Sequence, residues 1–449
     1  MGTYAAGAPF DRNSPIDAAA QMDAVPVTVR QLPYFFAAEL DPRSRSNYVR
    51  VDLALAGPLN RPALENTLCA IVDHHESLRV RFGYDERGPI QTAVPLGATV
   101  PITHLRADGD PPWPQARKCI DTAEADAWLD LKKGPLFRFF LLQLSSTRHV
   151  LRWLVHHAVA DGRSESIFVT DFARAYEALV RGLPSPLRPP RVRYTDWAIW
   201  DSRRRQEPSA SEAYWRERFA KDDRTDGDHE SVTPRAVEHT QRFNLAADIE
   251  LNDNAALMGA AALADARISV LLFTALAMAL TNAWRRTPLT IGVLNANRQH
   301  AELGDIIGQF ADVVPVTLDV PGDDSTSALI RAVRRAFVEA LRHSDVPFFQ
   351  ILQLAGCSEP FGTSGVCDVL FNMVDSAPRT SNVDDLTIAR IDDDIGDVDP
   401  RLALYVGALH SAGGLRITMS GSHAAFALAD LRQLLSHYVE LFRDLVRAT

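Results

Sequence analysis

Two adjacent histidines followed by an acid and a glycine are the residues most suited to chemistry here: His156-His157-Ala158-Val159-Ala160-Asp161-Gly162. An imidazole near its ordinary pKa accepts a proton from an attacking amine or alcohol at neutral pH. Acyl transfer from a thioester needs that step and needs no covalent enzyme intermediate. His157 is the candidate base. The alternative reading is a pair of core histidines satisfied by hydrogen bonds, which the spacing alone leaves open. No G-x-S-x-G elbow and no glycine-rich phosphate loop offers a competing chemistry.

The elements around the motif must then place it. Val150 to His157 reads as a strand, so its side chains alternate between faces. Leu151, Trp153, Val155 and His157 share one face and His156 takes the other, which gives the histidines separate tasks. Adjacent strand residues do not easily chelate one ion, so no metal is expected. A helix follows, with Ile167, Phe168, Phe172, Ala175, Tyr176 and Leu179 at spacings of three and four and Gly182 at its C-terminal cap.

Further out, Tyr48 to Ala56, Leu78 to Tyr84 and Phe137 to Leu144 have the two-residue period of strands. Val27 to Leu40 and Pro62 to His74 have helical spacing. Pro184 to Pro190 holds four prolines and cannot be helix or central strand. The expected organisation is a mobile leader at 1–24, an N-terminal lobe at 25–183, a linker at 184–192 and a C-terminal lobe at 193–449. In the second lobe, strands are expected at Leu289–Leu294, Val366–Val374 and Leu415–Ser420, and helices at Ser325–Leu341 and Ala427–Val446. Lys221–Glu230 and Asp392–Pro400 read as solvated acidic loops. The fold class is α/β, with mixed sheets flanked by helices.

The 449 residues are 46% hydrophobic and 23% charged, enough for more than one core. A net charge of −10 argues against nucleic acid as a partner. The uncharged stretch Ile268 to Trp284 is interrupted by Ser269, Thr274, Thr281 and Asn282, and reads as a buried helix rather than a membrane span. Cys69, Cys119, Cys357 and Cys367 have neither disulfide-framework nor zinc spacing, so reduced thiols and a cytoplasmic location are expected.

The histidine motif resembles the H-H-x-x-x-D-G signature of nonribosomal peptide synthetase condensation domains, members of the chloramphenicol-acetyltransferase-like superfamily. Other segments match in family order: His75-Glu76-Ser77-Leu78-Arg79, Tyr194-Thr195-Asp196-Trp197-Ala198, Asn297-Arg298, Ile307-Gly308-Gln309-Phe310 and Asp345-Val346-Pro347-Phe348. Together they cover roughly residues 27 to 445. His74 stands where the family has arginine, Ala311-Asp312-Val313 replaces V-N-T, and Thr28-Val29-Arg30-Gln31 only faintly echoes S-x-A-Q.

The resemblance implies two lobes of related fold in a V-shaped pseudo-dimer. It makes His157 the residue that orients or deprotonates the acceptor, and His156 a structural support. Asp161 would pair with an arginine, with Arg298 and Arg79 both candidates. Gly162 would lie beside the acyl thioester, and Asn372 would polarise its carbonyl. An acyl or peptidyl carrier protein would deliver the donor on phosphopantetheine to an amine or hydroxyl acceptor, with no permanently bound cofactor. Arg203-Arg204-Arg205 and the run Arg188 to Arg193 could help dock acidic carriers. A free-standing monomer acting in trans is the expectation. Two alternatives stay open: an acyl-coenzyme A-dependent O/N-acyltransferase of the same superfamily, and a catalytically silent carrier-binding module.

Overall fold

The computed structural model describes residues 16, 24–45, 47–95, 97, 100–107, 109–206, 209–220, 241–249, 267–285, 287–319, 326–357, 366–375, 380–391, 402–411 and 414–448. The acidic stretches expected as loops, 221–230 and 392–400, lie outside them. So does the expected leader apart from Ile16 and Ala24, and Ile16 is buried against Val192, Tyr194, Trp197 and Phe310.

The chain forms two compact units. One takes in residues 1–208, 296–311 and 377–393; the other takes in 209–295, 312–376 and 394–449. This corrects the expected boundary at 184–192. The proline-rich segment does interrupt regular structure, but packing does not stop there. Tyr194 and Trp197 beyond it are buried with Leu303, Ile306 and Phe310 in the first unit. Burying side chains of this size is worth about 1.5–3 kcal/mol each, which outweighs any local preference for a break.

In the first unit, a six-stranded mixed sheet runs in the order Thr380–Val383, Leu386–Ile391, Tyr48–Ala56, Arg148–His156, Phe137–Gln143, Ile102–Arg106. The last pair is parallel and the others antiparallel. One face carries Val51, Leu53, Leu151, Trp153 and Val155 against Phe168, Phe172 and Tyr176 of the helix Gly162–Val180 and Leu64, Leu68 and Ile71 of the helix Arg61–His74. The opposite face carries Tyr48, Val150 and Leu154 against Ala116 and Ile120 of the helix Trp113–Glu124. The alternation expected along the histidine strand therefore holds. A smaller antiparallel sheet joins Val25–Pro26, Gly88–Ala93 and Val80–Asp85.

Local signals set the ends. Asn60 Oδ1 accepts from the Ala63 N–H at 3.0 Å and caps the helix Arg61–His74. Gly182, at φ +71°, closes the helix Gly162–Val180, with the Leu183 N–H donating to the Ala178 carbonyl at 2.9 Å. A side chain would be strained in that left-handed turn. The expected helix from Val27 begins only at Leu32, because Val25–Pro26 pairs as a strand and Thr28–Gln31 forms a turn.

In the second unit, a mixed sheet runs Asp312–Leu318, Leu289–Asn295, Val369–Asp375, Leu404–Ser411, Gly414–Ser422, Arg242–Ile249. Val369–Asp375 is parallel to both neighbours. The helix Ile268–Trp284 buries Leu271, Leu272, Phe273, Leu276 and Leu280 in the core of this unit, as its lack of charge implied. Thr326–Arg342 and Leu428–Ala448 are the expected amphipathic helices. No helix among the described residues is long and apolar enough to cross a membrane. None of the four cysteines forms a disulfide.

Candidate active site

The strand Arg148–His156 ends one residue before His157, whose N–H continues the ladder by donating to the Asn47 carbonyl at 2.7 Å. His156 is buried, and its Nδ1 accepts from the Ala158 N–H at 3.1 Å. Burial pushes its pKa down to about 3, so it stays neutral. His157 is half-buried. Its ring stacks on Tyr34, with centroids 4.5 Å apart and planes 10° apart, and its Nδ1 lies 3.1 Å from Gln309 Oε1. Burial lowers its pKa. Its own backbone carbonyl, the Asp161 charge, Gln309 and the Ala160 carbonyl oppose that shift.

Asp161 is fully buried and organises the turn. Its Oδ1 accepts from the Ser164 N–H at 2.9 Å and hydroxyl at 2.8 Å, capping the helix Gly162–Val180. Its Oδ2 accepts from the Phe310 and Ala311 N–H groups, each at 3.2 Å. Arg298 Nη2 reaches Oδ1 at 3.0 Å. Arg298 also donates through Nη1 to the Leu303 and Ile306 carbonyls at 2.6 Å and lies 4.2 Å over the Phe310 ring.

Arg298 is therefore the partner of Asp161, and Arg79, the other candidate, is not. Arg79 donates to the Val72 and Asp73 carbonyls at the end of the helix Arg61–His74, and to the Val94 carbonyl. A guanidinium is well placed there, at the negative end of the helix dipole.

The other matched segments of this unit meet the same 307–311 loop. Ser77 donates to the Ile307 carbonyl at 2.6 Å, and His75 Nδ1 accepts from the Ile307 N–H at 3.2 Å. Tyr194 donates to the Gln309 carbonyl at 2.8 Å. A side chain at Gly308 would put its first carbon 2.3 Å from the Tyr194 ring, so only glycine allows this approach. The faint N-terminal echo is also structural. Gln31 is buried and donates to the Ala158 carbonyl at 2.9 Å, within the histidine turn.

His74, His75 and Asp171 lie close enough to suggest a metal cluster. His75 Nδ1 already accepts a backbone N–H, so its Nε2 carries the proton and donates to Asp171 at 2.9 Å. That donor set fits a satisfied strut.

Of the remaining expected residues, Gly162 is the first of its helix, and a side chain there would enter open space. Asn372 lies in the second unit, where its amide donates to the Tyr405 hydroxyl at 3.0 Å. Within the arginine run, Arg204 and Arg205 are paired with buried Asp201, leaving Arg203 the most exposed of the three.

His74, His149, His156, His157 and His300 all have pKa values lowered by burial. Below about pH 6.5 the unfolded chain binds protons that the folded unit refuses, so stability is lost as pH falls. For His156 the window runs from the ordinary imidazole value to about 3. Urea midpoints measured from pH 7.5 to 5 are expected to fall steadily. A midpoint that stays level or rises contradicts neutral burial.

The condensation-domain family model matches residues 21–449. The chain belongs to the condensation-domain family. Chondramide synthase of Chondromyces crocatus is 32% identical over 339 residues, 74% of this chain and 8% of that protein. Malpibaldin synthetase of Mortierella alpina is 28% identical over 394 residues, 85% of this chain and 7% of that protein. This condensation domain thus spans less than a tenth of the length of these two relatives. In solved structures, the X-domain in the complex of X-domain and OxyB from teicoplanin biosynthesis superposes with a TM-score of 0.80. It is 24% identical, covering 97% of this chain and 96% of that one. The expected family and its fold class, mixed sheets flanked by helices, stand on these matches.

Proposed function

We propose that this condensation domain transfers an acyl group from a carrier-protein phosphopantetheine thioester to an amine or hydroxyl acceptor, with His157 as the base. The observation that supports this most is the state of the His157 ring. It is half-buried, held by Tyr34 and Gln309, and kept neutral by a lowered pKa. In the proposed step the ring takes the acceptor's N–H or O–H proton as the acceptor attacks the thioester carbonyl. The C–S bond then breaks, the new amide or ester forms, and the proton passes to the departing thiolate. Asp161, paired to Arg298, does no proton transfer and holds the turn.

The test is a side-by-side assay of one acyl group presented on a carrier protein and on coenzyme A. Faster turnover from the carrier supports the proposal. Equal or faster turnover from coenzyme A favours the acyl-coenzyme A reading, and binding of carriers without turnover favours a silent module.

Gly162 provides a second check. Its backbone is not in the left-handed region and its missing side chain faces open space, so Gly162→Trp is expected to fold normally. If the thioester passes beside it, that variant loses at least about 100-fold in kcat/KM, the scale of a misplaced reactant. Unchanged kcat/KM removes Gly162 from the donor path.

A further inference from the structure

We propose that Arg30 is a positioning residue: its buried guanidinium holds Asn297 in a left-handed turn and so aims Arg298 at Asp161. The expected loss of turnover rests on the acyl-transfer reading, whereas the geometry of the turn needs no substrate.

Arg30 stands at the alanine position of the S-x-A-Q pattern, and its side chain is 1% exposed. A buried guanidinium is costly unless an anion and further acceptors meet it. Asp201, equally buried, lies 3.4 Å from Nη1. That carboxylate is not short of cations, because Arg204 and Arg205 reach it at 3.3 and 3.1 Å. The shorter bonds of Arg30 go elsewhere. A guanidinium only donates, so the oxygen of the Asn297 amide must face it. In that orientation the oxygen accepts from Nε at 2.9 Å and from Nη2 at 3.0 Å. The guanidinium also lies 6.0 Å from the centre of the Trp197 ring.

Asn297 has φ +52°. That left-handed region is disfavoured for any residue with a side chain, though asparagine tolerates it better than most. The two bonds from Arg30 hold the residue there. The backbone direction at 297 decides where the next side chain leaves the chain. Arg298 leaves it to reach Asp161 at 3.0 Å and the Leu303 and Ile306 carbonyls at 2.6 Å. An extended Asn297 would send that side chain elsewhere. Gln31, the neighbour of Arg30, grips the histidine turn through the Ala158 carbonyl. One short turn, Thr28–Gln31, thus ties down both segments that the Asp161–Arg298 pair joins.

Crystal structures of the wild type and Arg30→Met test the geometry. Asp201 keeps two arginines in that variant, so it is expected to fold. The expected result is an Arg298–Asp161 separation beyond about 4 Å, the limit of an ion pair. A pair that persists at its wild-type distance overturns the proposal.

Turnover gives a second readout. With carrier-bound substrate, Arg30→Met is expected to lower kcat about 10-fold with KM little changed, within the roughly 100-fold that a misplacement of about 1 Å can cost. Glycine takes a positive φ without strain, so adding Asn297→Gly to Arg30→Met should recover about three-fold or more of that loss. A role as counter-ion alone predicts no recovery, because glycine brings no charge to Asp201. Arg30→Lys keeps a cation for Asp201 but gives up the two-pronged grip, so its kcat should fall in the same direction. If Arg30→Met does not fold, Arg30→Lys, alone and with Asn297→Gly, carries both readouts. Full kcat in Arg30→Lys, or no recovery with glycine, overturns the proposal. A wild type that turns over no thioester would count against the acyl-transfer reading, while the two structures still decide the role of Arg30.

Discussion

His157→Ala is expected to cut product formation by about 10²–10⁴-fold, the usual contribution of a positioned general base, with KM for the carrier-bound donor nearly unchanged. The fold should survive the change. The ring is half-buried, stacks on a Tyr34 that is itself only partly buried, and makes one side-chain hydrogen bond. Its main-chain bond to Asn47 does not depend on the side chain. Removing it leaves Gln309 Oε1 without its donor, at a cost of about 1 kcal/mol if water enters. His157→Ala should therefore melt within a few degrees of the wild type, and turnover should be followed by mass spectrometry of the product. A folded variant that keeps wild-type turnover would take the base assignment away from His157. His156 has the reverse profile. It is buried, neutral and bonded to the turn, so its replacement should cost stability first.

The period-two pattern around this strand was readable because one residue of slip would turn every side chain to the other face. Leu151, Trp153 and Val155 against Val150 and Leu154 admit one register, and that register separates the two histidines. Arg152 sits inside the same apolar run, and its partners in space explain it. Its buried guanidinium bonds to Asp52 on the neighbouring strand at 2.8 Å and to Glu124 at 3.0 Å, partners distant in sequence.

The choice between Arg79 and Arg298 could not be made from the motifs. Both are motif arginines, and what separates them is whether carbonyls or a carboxylate lie within reach. The hairpin Thr380–Val383 and Leu386–Ile391 was missed because it completes a sheet begun over 300 positions earlier, a non-local pairing with weak local signal. Gln309 and Gln31 were legible only as polar residues in apolar company. Their partners, His157 and Ala158, lie far along the chain.

Asp161→Ala is expected to be among the most destabilising single changes in the first unit, by about 3–5 kcal/mol, because it leaves a buried cation without its anion. Arg298 has 6% of its side chain exposed, and it would keep the Leu303 and Ile306 carbonyls, a long 3.5 Å contact to the Ser164 hydroxyl and the Phe310 ring, none of them an anion. The same change removes the cap of the helix Gly162–Val180, worth about 1 kcal/mol, and strands the Phe310 and Ala311 N–H groups. Arg298→Met should cost less than Asp161→Ala. The carboxylate it abandons still accepts from Ser164, Phe310 and Ala311. Removing both charges should recover part of the loss, so the double variant is expected to be more stable than the two single costs added together. Urea unfolding of the four proteins, read by a probe in the first unit, measures that coupling. Strict additivity would mean that the pair does not act as one. Activity should fall with Asp161→Ala even where the protein stays folded. Asp161 fixes the backbone on the C-terminal side of Gln309, and Gln309 fixes the ring of His157. The carboxylate thus reaches the His157 ring through three hydrogen bonds and a loop, and loosening that path is expected to give the imidazole more freedom to turn.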